Sequence, residues 1–415
     1  MILRARVVLP ISRPPIENGA VAVEDGRITA VGAWPELART PAGEIKDLGE
    51  VVLLPGLVNA HCHLDYTAMA GQIAPTKSFT DWIKCITALK ASWSYSEFAE
   101  SWVSGARMLL ATGTTTVADI EAVPELLSEA WLATPLRILS FLEMTGIKSR
   151  RQPERILEEV LAKIDSLPIG RCRAGLSPHA PYSTQPDLLR LVVEHSRKRN
   201  LRITTHVAES AEEFEMFFHA RGAMYDWLCR NERMMDDCGR GSPVKRLEES
   251  GLLGENLLAV HANYLHTGDA ALLAGTGANV VHCPRSHEFF QHCPFPFREL
   301  NEAGVNICLG TDSLATTRKM RGEPLRLDLF AEMRAFSKAN PARAPDAILQ
   351  MATLNGAKAL GMAGQIGELT PGASADLIVV PSCESVGQCT ESIIHHADDV
   401  IASMIDGCWA LPPQS

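Results

Sequence analysis

Pro55-Gly56-Leu57-Val58-Asn59-Ala60-His61-Cys62-His63-Leu64 is a short apolar run that ends in two imidazoles one residue apart. Side chains on a strand alternate with period two, so His61 and His63 project to one side and can reach one ion. The stretch predicts a strand tip that holds a metal, provided other parts of the chain complete the shell. The competing reading is two histidines in a polar turn.

Working outward, the middle of the chain alternates strand and helix patterns. Strands are expected at 57–61, 114–119, 136–143, 171–177, 202–206, 257–261, 278–283 and 305–310. Helices are expected at 98–111, 153–167, 187–199, 267–274 and 297–303. Eight strands separated by helices match a (β/α)8 TIM-type barrel by count and length. A doubly wound open sheet is the runner-up, but no Gly-x-Gly-x-x-Gly follows the first strand. Both ends read differently. Gly19–Val23 and Ile28–Gly32 flank Asp25-Gly26 as a hairpin, and 375–380 and 400–405 are further short apolar runs. The expected division is a small β-sandwich domain from both termini, 1–55 and 363–415, around a barrel of 56–362.

Composition narrows the function classes. The 415 residues carry a net charge of -10, with a pI near 5.7, so no basic footprint suggests nucleic acid. The eleven cysteines are scattered without a CxxC pair and read as reduced thiols. No run of eighteen apolar residues marks a membrane span, and the N-terminus lacks a secretory pattern. A cytoplasmic protein is expected, with no membrane partner and a homodimer as its assembly.

Active sites of such barrels lie at the C-terminal strand ends. Strand one presents His61 and His63, strand five His206 followed by Glu209, strand six His261, and strand eight Asp312. Each alone reads more readily as a buried histidine or a turn aspartate; together, on one rim, they read as a site. Three imidazoles and a carboxylate suit one zinc, or ferrous iron, better than magnesium or calcium. His61, His63, His206 and Asp312 are the expected ligands, with a water in the open position ionising near neutral pH. Glu209, three residues past a ligand, is placed as general acid/base, and His261 as the group that holds the nucleophile or polarises the substrate. Strand four contains no lysine to bridge two metals, so the site is read as mononuclear.

With Ser177-Pro178-His179, Thr205-His206-Val207-Ala208-Glu209, Val260-His261-Ala262, His282-Cys283-Pro284 and Gly310-Thr311-Asp312-Ser313 following in order, the chain resembles the amidohydrolase superfamily. The resembling branch holds the cytosine, guanine and adenosine-type aminohydrolases and the triazine chlorohydrolases, and the likeness extends to Asn355–Gly361 and Gly367–Leu377. It implies hydrolytic deamination of an amino-substituted heterocycle such as a purine nucleoside or pterin, with aminodeoxyfutalosine among the candidates. The alternatives are dechlorination or cyclic-amide opening on the same metal, and a non-catalytic barrel. Two departures bear on substrate. Cys283-Pro284-Arg285-Ser286-His287 replaces the usual Cys-Pro-x-Ser-Asn, and Ser313 replaces the glycine after Asp312. His179, Arg285, His287 and Trp82 are the expected substrate contacts, each against a packing or solvated alternative. The aromatic and methionine residues of the 212–249 insertion read as packing, as a lid, or as a dimer contact.

Overall fold

The computed structural model describes residues 1–39, 43–74, 76–147, 152–319, 325–383 and 385–413. Its sixteen strands are β1 (Ile2–Val8), β2 (Ile16–Glu24), β3 (Arg27–Ala33), β4 (Ile45–Asp47), β5 (Val51–Pro55), β6 (Leu57–Cys62), β7 (Thr114–Glu121), β8 (Arg137–Met144), β9 (Arg173–Pro178), β10 (Ile203–Val207), β11 (Leu257–His261), β12 (Asn279–His282), β13 (Asn306–Leu309), β14 (Leu377–Pro381), β15 (Ala402–Ile405) and β16 (Cys408–Leu411).

β6 to β13 pair in chain order, all parallel. The ring closes where Cys62 bridges Asp312, and the amides of Thr311 and Asp312 both donate to the carbonyl of His61, at 3.0 and 3.1 Å. A Cβ at Gly310 would lie 2.8 Å from the Cβ of His61, so only glycine permits this approach. All eight expected strands are present, with ends shifted by at most two residues.

Strands buried on both faces read as continuous apolar runs, and β11, Leu257-Leu258-Ala259-Val260-His261, is buried at every residue. Period two then splits the run. Leu258 and Val260 join Val58, Ala118, Phe141 and Val281 from other strands in the barrel interior, while Leu257 and Ala259 belong to the outer core that the helices complete. The helix Tyr95–Ala111 starts in a Ser94/Glu97 capping box and buries Phe98, Trp102, Ala106 and Leu109 against that outer layer. Each of the larger of these side chains contributes about 1.5–3 kcal/mol.

The termini build one mixed eight-stranded sheet, in the order β16-β15-β14-β5-β1-β2-β3, with β4 on β1. The Asp25-Gly26 hairpin is observed, with Glu24 opposite Arg27 and both turn residues at positive φ. A single core collects Val21 and Ile28 from one end of this path and Leu377 and Met404 from the other. The sheet therefore curls over on itself, its β2–β3 turn meeting the β15–β16 turn at Gly26 and Gly407. Arg137 at the start of β8 ties barrel to sheet through two bonds to Asp376, at 2.9 and 3.2 Å.

One expectation fails. Cys383 and Cys389 form a disulfide, with Cα atoms 5.2 Å apart across a separation of six residues. The turn into the helix Cys389–Ile394 brings them together, which cysteine spacing alone does not announce. The other nine cysteines are free. Among the described residues, no helix is long and apolar enough to cross a membrane.

Candidate active site

Three strand ends converge on one point. One nitrogen from each of His61, His63 and His206 lies within 4.8 Å of the other two, and all three rings are buried. Nε2 of His63 is 3.3 Å from Nε2 of His206, and Oδ1 of Asp312 is 3.6 Å from Nε2 of His61 and 3.7 Å from that of His63. Both ring nitrogens of His61 and Nδ1 of His63 are buried without a hydrogen-bond partner. Such atoms cost about 1–3 kcal/mol each unless something binds them. A divalent cation fits this set of neutral nitrogens and one carboxylate.

The surroundings hold each donor in the form a metal needs. Nδ1 of His206 lies 2.8 Å from the carbonyl oxygen of His179, so it donates and Nε2 keeps its lone pair. Burial, with the neighbouring His179 and His61, depresses the His206 pKa to about 3, and burial also lowers His63 well below its usual value. Asp312 shifts oppositely to most buried acids. Burial opposes its charge, but the nearby imidazoles of His61, His261 and His63 hold it well below the usual carboxylate range. Ser286 and Thr316 hydroxyls donate to Oδ2 of Asp312 at 2.6 and 3.2 Å, leaving Oδ1 for the histidines.

Beside this cluster, Oε1 of Glu209 is 3.5 Å from Nε2 of His261. Burial, then the charges of Asp312 and Glu213, raise Glu209 well above the ordinary carboxylate range. Its backbone is fixed by Glu213, which accepts from its N–H at 2.8 Å, and by Asn263, which donates to its carbonyl at 2.9 Å. Four residues on this rim sit at left-handed φ without being glycine: Ala208 at 50°, His261 at 76°, Ala262 at 48° and Asp312 at 52°. Each costs on the order of 1–3 kcal/mol, a cost met by the pairing around the barrel.

The cluster opens into a cavity of about 450 Å³. Trp82 and Phe79 from the helix Phe79–Ser92 and Trp227 from the helix Ala223–Arg230 wall it. The insertion and the first-loop helix are joined. Glu212 accepts from the amides of Phe79 and Thr80 at 3.0 Å each and contacts the Thr80 hydroxyl, while Phe217, Met224 and Leu228 share a core with Phe79 and Tyr182. One side is polar. Glu143 at the tip of β8 lies 3.4 Å from Nζ of Lys90 and 3.8 Å from Nε2 of His179, whose Nδ1 is 2.6 Å from Ser183 Oγ. Lys90 and His179 keep Glu143 below its ordinary pKa despite burial.

The expected residues divide clearly. His61, His63, His206, Asp312, Glu209 and His261 come together, and His179 and Trp82 line the cavity. Arg285 and His287 do not. The helix Pro284–Phe290 turns Arg285 away to Glu332, at 3.6 Å, and to the carbonyl of Arg326, at 3.0 Å; His287 bonds the carbonyl of Cys293 at 2.9 Å. Within the same loop Ser286 is the residue that reaches the site. Glu143 and Lys90 were missed as well, although Glu143 ends a strand on the same rim as the histidines.

Residues 52–409 match the amidohydrolase family, and residues 19–40, over the β2–β3 hairpin, match a bacterial imidazolonepropionase-like composite domain. A 5-methylthioadenosine/S-adenosylhomocysteine deaminase of Syntrophobacter fumaroxidans is 33% identical over 88% of this chain and 80% of its own length. A 5'-deoxyadenosine deaminase of Methanoregula boonei is 31% identical over 83% and 75%. The crystal structure of a zinc-bound adenosine deaminase from Xanthomonas campestris aligns with a TM-score of 0.84 at 25% identity, over 99% of this chain and 92% of that one. The chain belongs to the amidohydrolase family.

Proposed function

We propose that the chain is a metal-dependent aminohydrolase that deaminates the adenine ring of an adenosine-like nucleoside, with one zinc per chain held by His61, His63, His206 and Asp312. The observation that carries this is the convergence of nitrogens from three buried imidazoles and an anionic Asp312 on the floor of a cavity that also presents Glu209. A divalent cation held there would supply a hydroxide nucleophile by lowering the pKa of a bound water. Glu209, kept protonated by its burial, gives its proton to the ring nitrogen beside the reacting carbon, and its 3.5 Å neighbour His261 orients the exchange. Asp312, anionic at rest, would take one proton from the attacking water and pass it to the departing amine, and the remaining hydroxyl proton would return to Glu209 as the ring carbonyl forms. The sum is one water consumed and one ammonia released.

Relatives named for 5-methylthioadenosine, S-adenosylhomocysteine and 5'-deoxyadenosine support an adenine nucleoside altered at its 5' position. The cavity supports it too. Trp82, Phe79 and Trp227 offer apolar faces, and Glu143, Lys90 and His179 offer donors and acceptors to hydroxyl groups. The absence of lysine in β9 supports a single metal. We assign residues 1–55 and 363–415 to the sheet unit and 56–362 to the barrel, in keeping with strands that end at Pro55 and resume at Leu377.

The test is ammonia release from purified zinc-loaded protein offered adenosine, 5'-methylthioadenosine, 5'-deoxyadenosine, guanine and a pterin. The proposal expects turnover of at least one adenine nucleoside. Chloride release from a chlorotriazine, or a ring-opened product, with no ammonia from any nucleoside would replace it.

A further inference from the structure

We propose that the opposite end of the barrel carries a second binding site, for a small organic phosphate, built from Arg171, Arg173 and Arg202. A cavity of about 320 Å³ opens there, lined by these three guanidinium-bearing residues, Arg137 and the hydroxyl-bearing Thr116. Arg173 begins β9, Arg137 begins β8, and Arg202 directly precedes β10, so the site lies at the strand starts while the histidines lie at the strand tips. The two cavities share no residue.

Arg137 is neutralised by Asp376 and by Asp406. Among the described residues, Arg171, Arg173 and Arg202 have no carboxylate within ion-pair distance. Arg171 spends two donors on the carbonyls of Leu136 and Thr134, at 3.1 and 3.2 Å, and Arg202 one on the carbonyl of Glu255, at 2.6 Å. These bonds fix where the guanidinium groups sit without pairing their charge; Glu255 eases that of Arg202 only from beyond ion-pair distance. Gly361 lets Arg202 lie flat on the backbone, since a Cβ there would collide with the guanidinium. Thr116, 1% exposed, carries a buried hydroxyl with no partner. Three unpaired cations around one concavity, in a chain of net charge -10, repel one another unless an anion is seated between them.

Planar guanidinium forks match phosphate oxygens in pairs. Leu201, Leu360 and Met362 give the cavity an apolar wall, which favours a phosphate borne on a carbon skeleton over the free ion. Its size suits a small molecule.

Calorimetric titration of the zinc-loaded enzyme with phenyl phosphate, inorganic phosphate and benzoate tests this. One phenyl phosphate per chain is expected, bound at least tenfold tighter than either inorganic phosphate or benzoate. Arg173→Glu, an exposed position that folding tolerates, is expected to weaken phenyl phosphate at least tenfold while nucleoside turnover stays unchanged. Arg202→Lys keeps the charge but loses the fork, and several-fold weakening is expected. No saturable binding, or phenyl phosphate bound equally well by Arg173→Glu, would overturn the proposal, the latter by placing the ligand at the zinc.

Discussion

Oγ of Ser286 donates to Oδ2 of Asp312 across 2.6 Å, joining the loop after β12 to the carboxylate after β13. That bond turns the other oxygen toward His61 and His63. Removing it in Ser286→Ala leaves Thr316 as the remaining donor to Oδ2, at 3.2 Å. Partners of this kind set ligand orientation, so zinc affinity is expected to fall about 10–100-fold with the fold intact. Competition with a chelating dye reads the change; unaltered affinity would show that Asp312 does not depend on Ser286.

Glu209→Gln keeps the shape and removes the proton. Zinc content is expected to stay at one per chain while ammonia release falls by at least about a hundredfold, the usual contribution of a positioned acid/base. Persistent turnover would move the proton transfer to another group.

Trp227 reaches the cavity from the insertion, so its loss should separate binding from chemistry. Trp227→Ala is expected to raise KM roughly tenfold, equivalent to about 1.4 kcal/mol, with kcat changed much less. A fall in kcat with constant KM would instead implicate the helix Ala223–Arg230 in organising the reacting groups.

Glu213 is fully buried, and burial lifts its pKa from 4.5 to about 8 against the backbone donors of Glu209 and Ala208. A raised acid favours the fold below its unfolded pKa and loses that contribution as pH climbs to the folded value. Stability should therefore decline from about pH 4.5 to about pH 8, by up to about 1.4 kcal/mol per unit from this group. Denaturant unfolding of the Glu213→Gln protein should show a flatter decline over that window. Parallel profiles would mean that Glu213 ionises normally in the fold.

Arg233 underpins the loop that carries His179 and Tyr182. It donates to the carbonyls of Pro181 and Tyr182 at 3.0 and 2.9 Å and pairs with Asp237 at 2.7 Å, all buried. Breaking such a pair costs about 3–5 kcal/mol. Arg246, 3.3 Å from Asp237, softens the loss, so Arg233→Ala should fall near the lower figure in a chemical denaturation curve. A loss below about 1 kcal/mol would deny the network its structural weight.

The site was legible where chemistry follows strand periodicity. His61, His63, His206, His261 and Asp312 end strands that the apolar runs define, and Glu209 follows one of them at fixed spacing. What sequence did not reveal depends on direction after the strand ends. Arg285 and Ser286 are neighbours, yet the helix that begins at Pro284 sends one to Glu332 and the other to Asp312. Lys90 meets Glu143 only because the helix Phe79–Ser92 folds over the mouth, a contact between residues 53 positions apart. The left-handed φ of Asp312 and His261 falls where each chain segment leaves its strand, a change of direction the apolar runs do not mark. The Cys383–Cys389 pair likewise depends on a local turn.

The central claim is that one metal, held by His61, His63, His206 and Asp312, makes this chain a deaminase. Titrating chelator-treated apoprotein with zinc while recording ammonia release from an adenine nucleoside tests it most directly. Activity should start near zero, rise linearly and saturate at one zinc per chain. Full activity in metal-free protein, or saturation only at two zinc ions per chain, would contradict it.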